Sequence, residues 1–189
     1  MTDADPFEAF VRTHQDLVFA LAVRLLGNAA EAEDVAQSVF LKAFERFESI
    51  GTSPAAAGWL RTVTRNACLN HLSRYRARWR FFSEMSTDDA PENAEYETRL
   101  SAEGSQVRDL EQADAREQLE EALRALPDHQ RVPLVLFHFE DASYEEIATA
   151  LGISVAKVKT DIHRGREALR TRLVRLAPSL TSTTRHGSR

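Results

Sequence analysis

Apolar residues recur every three or four positions through most of the chain, which is the spacing of one face of an α-helix. The first such stripe predicts a helix over residues 7–26. Asn28 and Glu31 then have capping-box spacing and predict the start of a second helix, which ends near Phe47. The predicted apolar stripe of this second helix consists of Val35, Val39, Phe40, Ala43, Phe44 and Phe47.

A third helix is predicted after a loop at residues 48–53. Ser53 and Pro54 fit its N-cap and its first helical position, and the helix is expected to run to about Arg80. The apolar residues predicted to form its core face are Ala56, Leu60, Val63 and Ala67.

Charge is strongly segregated along the chain, although the formal net charge is only −5. Residues 59–80 hold six arginines and no acidic residue, whereas 81–121 hold three arginines against thirteen acidic residues. Residues 83–105 also lack hydrophobic periodicity, so the acidic segment 81–114 is predicted to be a flexible linker. From residue 122 onward, basic residues again outnumber acidic ones, by eleven to seven. This arrangement favours basic surfaces for nucleic acid that are joined by an acidic tether.

Helical periodicity resumes near Asp109 and continues to Leu126. Pro127-Asp128 separates this helix from the next one, and the segment that follows, 131–139, is strongly apolar. Pro133 lies inside that segment, so the sequence predicts that this helix either begins late or kinks there. The last residues, 177–189, are predicted to be a disordered tail.

Residues 143–170 have the pattern of a helix-turn-helix. Ser143 and Glu146 have capping-box spacing, Gly152 suits a sharp turn, and Ser154 suits the N-cap of the second helix. The second helix carries a set of basic residues that suits a helix in the DNA major groove. These residues are Lys157, Lys159, His163, Arg164 and Arg166.

The composition favours an all-helical protein of one ordinary domain or two small ones. The 189 residues include only 7 glycines and 6 prolines. The single cysteine, Cys68, excludes an internal disulfide framework and most zinc sites. The acidic N-terminus is unlike a signal peptide, and no apolar run is long enough to span a bilayer. A cytoplasmic location is therefore expected.

An enzyme is disfavoured by the scatter of potential catalytic groups. The six histidines lack the spacing of metal-binding motifs, and there is no glycine-rich phosphate loop. Cys68 has only His71 nearby, and helical neighbours of that kind are common by chance. The sequence predicts no catalysis, no cofactor and no metal site.

Two helical faces admit more than one interpretation. In the third helix, Trp59, Asn66 and Asn70 share a side and precede the arginine run, which suits a surface that separates DNA strands. A core tryptophan beside a solvated helix end is equally favoured by the spacing. In the second helix, exposed Gln37, Lys42 and Arg46 beside a partly buried Phe40 could bind a partner helix, but a plain amphipathic helix of a bundle is favoured there.

Five stretches resemble the small extracytoplasmic-function (ECF) sigma factors of bacterial RNA polymerase, in the family's order. They are FLKAF at 40–44, GWLRTVTRN at 58–66, LPDHQR at 126–131, SYEEIA at 143–148 and VKTDIHRGREALR at 158–170. The resemblance implies an all-α fold of two small helical domains. It assigns residues 1–80 to sigma region 2, 81–114 to the flexible acidic linker, 115–176 to sigma region 4 and 177–189 to the tail.

The resemblance also implies which residues bind. The residues that fall where the family grips the clamp of core polymerase are Asp34, Gln37, Phe40 and Lys42. The residues that fall where it melts and reads the −10 element are Trp59, Asn66, Asn70, Arg74 and Arg76. The residues of the −35 recognition helix are Lys157, Lys159, Thr160, His163, Arg164 and Arg166.

The implied function is that of a subunit that binds core RNA polymerase and directs promoter-specific initiation. Its implied partners are core RNA polymerase, promoter DNA and an anti-sigma factor, with no small-molecule substrate. An exposed apolar edge for the anti-sigma factor would include Phe40, Phe44 and residues 134–139. The alternative is a free-standing helix-turn-helix regulator, which should bind its operator tightly by itself.

Two residues depart from the family's pattern. Asp161 is an acid where relatives usually carry a base, and an acid that faces phosphates is expected to weaken −35 binding. Gly165 replaces the usual alanine and is expected to soften the recognition helix by about 1 kcal/mol.

Overall fold

The computed structural model describes residues 5–73 and 109–176, and every regular element in these two ranges is an α-helix. The helices of the first range are α1 (Pro6–Leu26), α2 (Ala29–Glu45), α3 (Phe47–Ile50) and α4 (Ala56–Ser73). Those of the second are α5 (Asp109–Arg124), α6 (Asp128–Phe139), α7 (Tyr144–Leu151) and α8 (Val155–Leu176). The chain divides into two compact units after Asp88. The predicted all-α fold of two helical domains is confirmed.

In the first unit, α1, α2 and α4 pack against one another. The Asp5 side chain caps α1 by accepting from the Phe7 amide at 3.0 Å, and Asn28 caps α2 by accepting from the Ala30 amide at 3.0 Å. Between the two helices, Gly27 takes the left-handed conformation, with φ 70°, that ends α1. The fully buried aliphatic residues of this unit include Val18, Leu25, Val39 and Leu60.

The buried face of α4 lies about one residue further round the helix than the apolar pattern predicted. The first two predicted core residues are buried, but Val63 and Ala67 are only half-buried. Thr64 and Cys68 are buried instead, each with 0% of its surface exposed. Their small side chains fit between α4 and the two helices against which it packs, so close packing outweighs the apolar preference of Val63.

Burial makes Cys68 unreactive. Desolvation raises the pKa of its thiol to about 12, against the smaller opposing effect of a backbone hydrogen bond. The thiolate is the nucleophilic form of cysteine, and it is therefore almost absent at neutral pH. Nε2 of His71 lies 3.1 Å from Oε2 of Glu31 on α2. The ring of His71 is therefore paired with Glu31 and does not activate Cys68.

The end of α2 differs from the sequence-based expectation. The helix ends at Glu45, and a short helix, α3, occupies Phe47–Ile50, most of which was predicted to be loop. Phe44 was assigned to the apolar stripe but is 61% exposed. Its ring and that of Phe47 meet the Phe7 ring edge-on, with centroid distances of 5.0 and 5.2 Å. The aromatic residues therefore form a cluster near the surface, because the smaller Val39 and Ala43 fill the space beneath α2.

In the second unit, α6 begins at Asp128 and continues through Pro133, so the late start considered from the sequence is wrong. The buried side chain of Arg131 fixes this start. Its Nη1 donates to the carbonyl oxygen of Leu126 and its Nη2 donates to Oδ1 of Asp128, each at 2.7 Å. The fully buried side chains of this unit include Leu123, Val132, Val135, Ile147, Val158 and Ile162.

Helix α8 approaches α6 closely at Gly165, which is buried. A Cβ atom at this position would lie 2.9 Å from Cδ1 of Leu134 and 3.3 Å from the carbonyl oxygen of Gln130. Both distances are shorter than ordinary van der Waals contacts of carbon. The absence of a side chain at Gly165 therefore allows α8 and α6 to pack closely. From the sequence, this glycine was expected only to soften α8.

Some predictions fall outside the described residues, namely those for Arg74, Arg76, the continuation of the third helix to about Arg80, the linker as far as residue 108, and the tail. Residues 109–114, which were assigned to the linker, belong to α5, whose start at Asp109 agrees with the hydrophobic pattern. Within 5–73 and 109–176, no helix has the length and apolar character needed to cross a membrane.

Candidate nucleic-acid interface

The helix-turn-helix predicted from the sequence is formed by α7 and α8. The Ser143 hydroxyl accepts from the Glu146 amide at 3.2 Å, and the Glu146 carboxylate accepts from the Ser143 amide at 2.8 Å. Gly152 takes a left-handed conformation, with φ 68° and ψ 36°, and ends α7. The Ser154 hydroxyl then caps α8 by accepting from the Lys157 amide at 3.2 Å. These local contacts fix the angle at which α8 leaves the turn.

One arc of α8 is turned away from the core of the second unit. Lys159 is exposed there, and Thr160, His163 and Arg164 are half-buried. The Thr160 hydroxyl donates to the Ala156 carbonyl oxygen at 3.0 Å. The opposite side of α8 is buried through Val158 and Ile162. Four of the six residues predicted to read DNA therefore share an outward arc.

Asp161 does not belong to that arc. Its residue exposure is 0%, and its Oδ1 accepts from Nζ of Lys157 at 2.7 Å. Its Oδ2 is buried without a hydrogen-bond partner among the described residues. Burial raises the pKa of this carboxyl, and the hydrogen bond and charge of Lys157 oppose the shift. The expectation that Asp161 faces phosphates is wrong, because its position on α8 lies on the buried side beside Val158 and Ile162.

Lys157 is held by its ion pair with Asp161, and only 15% of its side chain is exposed. On the other flank of α8, Nε of Arg166 donates to Nε2 of His138 on α6 at 3.1 Å. A guanidinium does not lose its proton, so His138 must be neutral to accept this bond. Burial, and secondly the charge of Arg166, lower the pKa of His138 and favour that neutral form. Two of the predicted DNA-reading cations are thus engaged within their own domain.

On α4, the predicted strand-opening row is brought together. Trp59, Asn66 and Asn70 fall within about 40° of one another around the helix axis, given 3.6 residues per turn. Asn66 and Asn70 are exposed, and Trp59 is half-buried rather than part of the buried core. Thr62 is exposed beside them. The row therefore presents one aromatic ring and two carboxamides on a single face.

The outer face of α2 contains an apolar residue that the sequence analysis missed. Asp34, Gln37 and Lys42 are exposed and Phe40 is half-buried. Leu41 lies between Asp34 and Gln37 around the helix and is 67% exposed. The run Val39-Phe40-Leu41 was the available signal, because three consecutive residues of a helix cannot all face one core.

The segment 134–139 is not an exposed apolar edge. Leu134, Val135 and Leu136 are buried, and the following three residues are half-buried, because α7 and α8 both pack on α6. His138 instead helps to line an open, largely apolar groove of about 220 Å³ in the second unit. No group of three or more His, Cys, Asp or Glu in the described ranges is placed to hold a metal ion.

Comparisons with known proteins match both units. Residues 10–79 match the model of Sigma-70 region 2, and residues 116–169 match that of Sigma-70, region 4. The ECF RNA polymerase sigma factor SigW of Bacillus subtilis is 30% identical over 172 residues, covering 90% of each protein. The RNA polymerase sigma-E factor of Streptomyces coelicolor is 33% identical, covering 89% of this chain and 86% of the relative.

Among solved structures, the sigma factor RpoE of Bartonella quintana, in complex with the anti-sigma factor NepR, aligns with a TM-score of 0.46 and 23% identity. The alignment covers 89% of this chain and 96% of that one. The two family models together match more than half of the chain, and the curated relatives align over most of their length and of this chain. The chain therefore belongs to the ECF sigma factors of RNA polymerase.

Proposed function

We propose that this sigma factor binds core RNA polymerase through α2, opens and reads the −10 element with α4, and reads the −35 element with α8. The observation that carries the proposal is the match of both units, in order, to regions 2 and 4 of one family. The capped helix-turn-helix supports the role of α8, and the polar row on α4 supports strand opening.

The proposed subunit performs no covalent chemistry. It supplies sequence recognition and strand opening to the polymerase, which synthesises the RNA. The buried thiol of Cys68 is consistent with this role, because it is un-ionised at neutral pH. The subunit would act wherever its polymerase acts, which places it in the cytoplasm.

At the −10 element, we expect the α4 row to act on separated strands. The indole of Trp59 can stack on a base or wedge between bases, since every base has a π-face. Asn66 and Asn70 are exposed and can each donate to and accept from the edge of an unpaired base. Arg74 and Arg76, which follow along the chain, would hold the phosphates.

At the −35 element, the proposed contacts come from the outward arc of α8. Lys159 and Arg164 would bind guanine edges or phosphates, and Thr160 and His163 would meet base edges or a thymine methyl. Lys157 and Arg166 are bonded to Asp161 and His138 within the domain. We therefore assign these two cations to holding α8 in place rather than to reading the sequence.

Leu41 is expected to anchor core polymerase. Replacing it by glutamate should weaken binding to core polymerase by about tenfold, equivalent to about 1.4 kcal/mol, because an exposed apolar side chain gains most when a partner buries it. The measurement is the affinity of the full chain for core polymerase at fixed salt.

The matched control is Val174→Glu, which changes an equally exposed aliphatic residue, 65% against 67%, on α8. Core binding by this variant should stay close to that of the unchanged chain. Equal losses in both variants would mean that added negative charge, and not the loss of an α2 contact, weakens binding.

We further propose that an anti-sigma protein covers the same face of α2. Leu41 and Phe44 each expose more than half of their surface, at 67% and 61%, and neighbouring exposed apolar residues are typical of protein contacts. Recovery of polymerase alone from cells under non-inducing conditions would contradict this part of the proposal.

A free-standing regulator is less well supported. Such a protein needs only the helix-turn-helix, usually as a dimer on a palindrome. A free-standing regulator would not need the domain at residues 10–79 that matches sigma region 2.

A further inference from the structure

We propose that two stacked aromatic rings of α6 and α7 position Lys159 of the recognition helix. The rings of Phe137 and Tyr144 are stacked, with centroids 4.8 Å apart and an interplanar angle of 6°. Nζ of Lys159 lies 5.6 Å from the Tyr144 centroid, and Cζ of Arg166 lies 5.6 Å from the Phe137 centroid. We call this series of four side chains the aromatic ladder. The inference rests on the proposed function, in which Lys159 contacts promoter DNA.

The Lys159 end of the ladder orders a cation that is otherwise flexible. A lysine ammonium within about 6 Å of a ring centroid is attracted by the negative face of the ring. A lysine side chain has four rotatable bonds, and a DNA contact must restrict them. Since Lys159 remains exposed, the contact with Tyr144 orders the side chain without removing it from solvent or from DNA.

The Arg166 end fastens the ladder to the domain. Arg166 covers the Phe137 ring and donates to Nε2 of His138, the residue that follows Phe137 on α6. Lys159 and Arg166 are seven residues apart, which is about 10.5 Å along the helix axis. The ladder therefore spans two turns of α8 and joins it to both α6 and α7.

The position of Tyr144 is distinct from the contacts that fold α7. The capping box of Ser143 and Glu146 fixes the start of this helix, and Ile147 is its fully buried anchor. Tyr144 itself is half-buried. Its removal should therefore leave the helix-turn-helix folded while releasing Lys159.

The test uses the full chain with core polymerase on promoters with an intact or a scrambled −35 element. Tyr144→Leu should lower −35-dependent binding by about twofold to fivefold, the range of an exposed cation–ring contact. Tyr144→Phe keeps the ring and should bind like the unchanged chain. In a Lys159→Ala background, Tyr144→Leu should have no further effect, because the residue acts through Lys159.

A second readout needs no DNA. In the free protein, the ring current of Tyr144 should shift the Hε protons of Lys159 upfield, and Tyr144→Leu should abolish that shift while the amide spectrum of α7 is preserved. Unchanged binding by Lys159→Ala would overturn the proposed DNA contact itself. Full additivity of the two substitutions, absence of the upfield shift, or equal losses for the Phe and Leu variants would overturn the ladder alone.

Discussion

Replacing Asp161 by arginine should unfold the second unit instead of strengthening −35 binding. Asp161 is fully buried and accepts from Nζ of Lys157 at 2.7 Å. An arginine there would put a second positive charge beside Lys157 in the core, and breaking a buried pair in this way costs about 3–5 kcal/mol. Hydrogen exchange of α6, α7 and α8 measures the loss, with α1, α2 and α4 as the internal reference.

Asp161→Asn is the matched control, because it keeps the shape and removes the charge. The raised pKa of Asp161 means that the folded state holds the proton more tightly than the unfolded state. The ionised carboxylate therefore weakens the fold as pH rises above the ordinary value of 3.8, and this effect is absent at lower pH. Asparagine loses the attraction to Lys157 but also escapes the cost of burying a charged carboxylate, so it should destabilise the second unit less than arginine does. A folded Asp161→Arg protein with stronger −35 binding would show that Asp161 faces DNA.

The double substitution Asn66→Ala, Asn70→Ala should abolish most promoter opening while closed complexes still form. Each exposed carboxamide is expected to supply about 1–3 kcal/mol of base discrimination, as a good base contact does. The closed complex depends on the polymerase face and on the −35 contacts, which these changes leave intact. Permanganate reactivity of the −10 thymines measures opening, and footprinting of the duplex measures closed complexes.

Gln15→Ala provides the control, since it removes an exposed carboxamide from α1 in the same unit. Opening by this variant should equal that of the unchanged chain. Normal thymine reactivity in the double variant would contradict the proposed strand-opening role of the α4 face.

The helix-turn-helix was predictable in detail because its signals are local. A capping box at Ser143 and Glu146 and a left-handed glycine at Gly152 act over three or four residues, so the sequence contains both partners of each contact. The fold class followed in the same way, from helical periodicity that runs through most of the chain.

The predictions that failed depended on contacts between elements. Periodicity gave the buried face of α4 to within one residue but could not choose Thr64 over Val63, because that choice is set by close packing with α1 and α2. The burial of Asp161 was missed because an acid was assumed to face solvent, although Lys157 lies one turn away to neutralise it. In each case, a polar or small side chain was buried where a spacing rule expects an apolar one.

The environments of the cations on α8 were only partly predictable. Lys159 and Arg166 both belong to the basic face that the sequence indicated. Their partners, Tyr144 on α7 and His138 on α6, lie far enough away in the sequence that no local pattern connects them. Which of these cations are held by contacts within the domain is therefore set by tertiary structure and not by local sequence.

Promoter-specific initiation by this chain is tested by mapping the 5′ ends of transcripts that core RNA polymerase makes in vitro with and without it. We expect discrete start sites, at promoters that share one pair of −10 and −35 sequences, only when the chain is present. Unchanged transcripts on adding the chain, together with tight and specific DNA binding by the chain alone at physiological salt, would contradict the sigma function and favour a free-standing regulator.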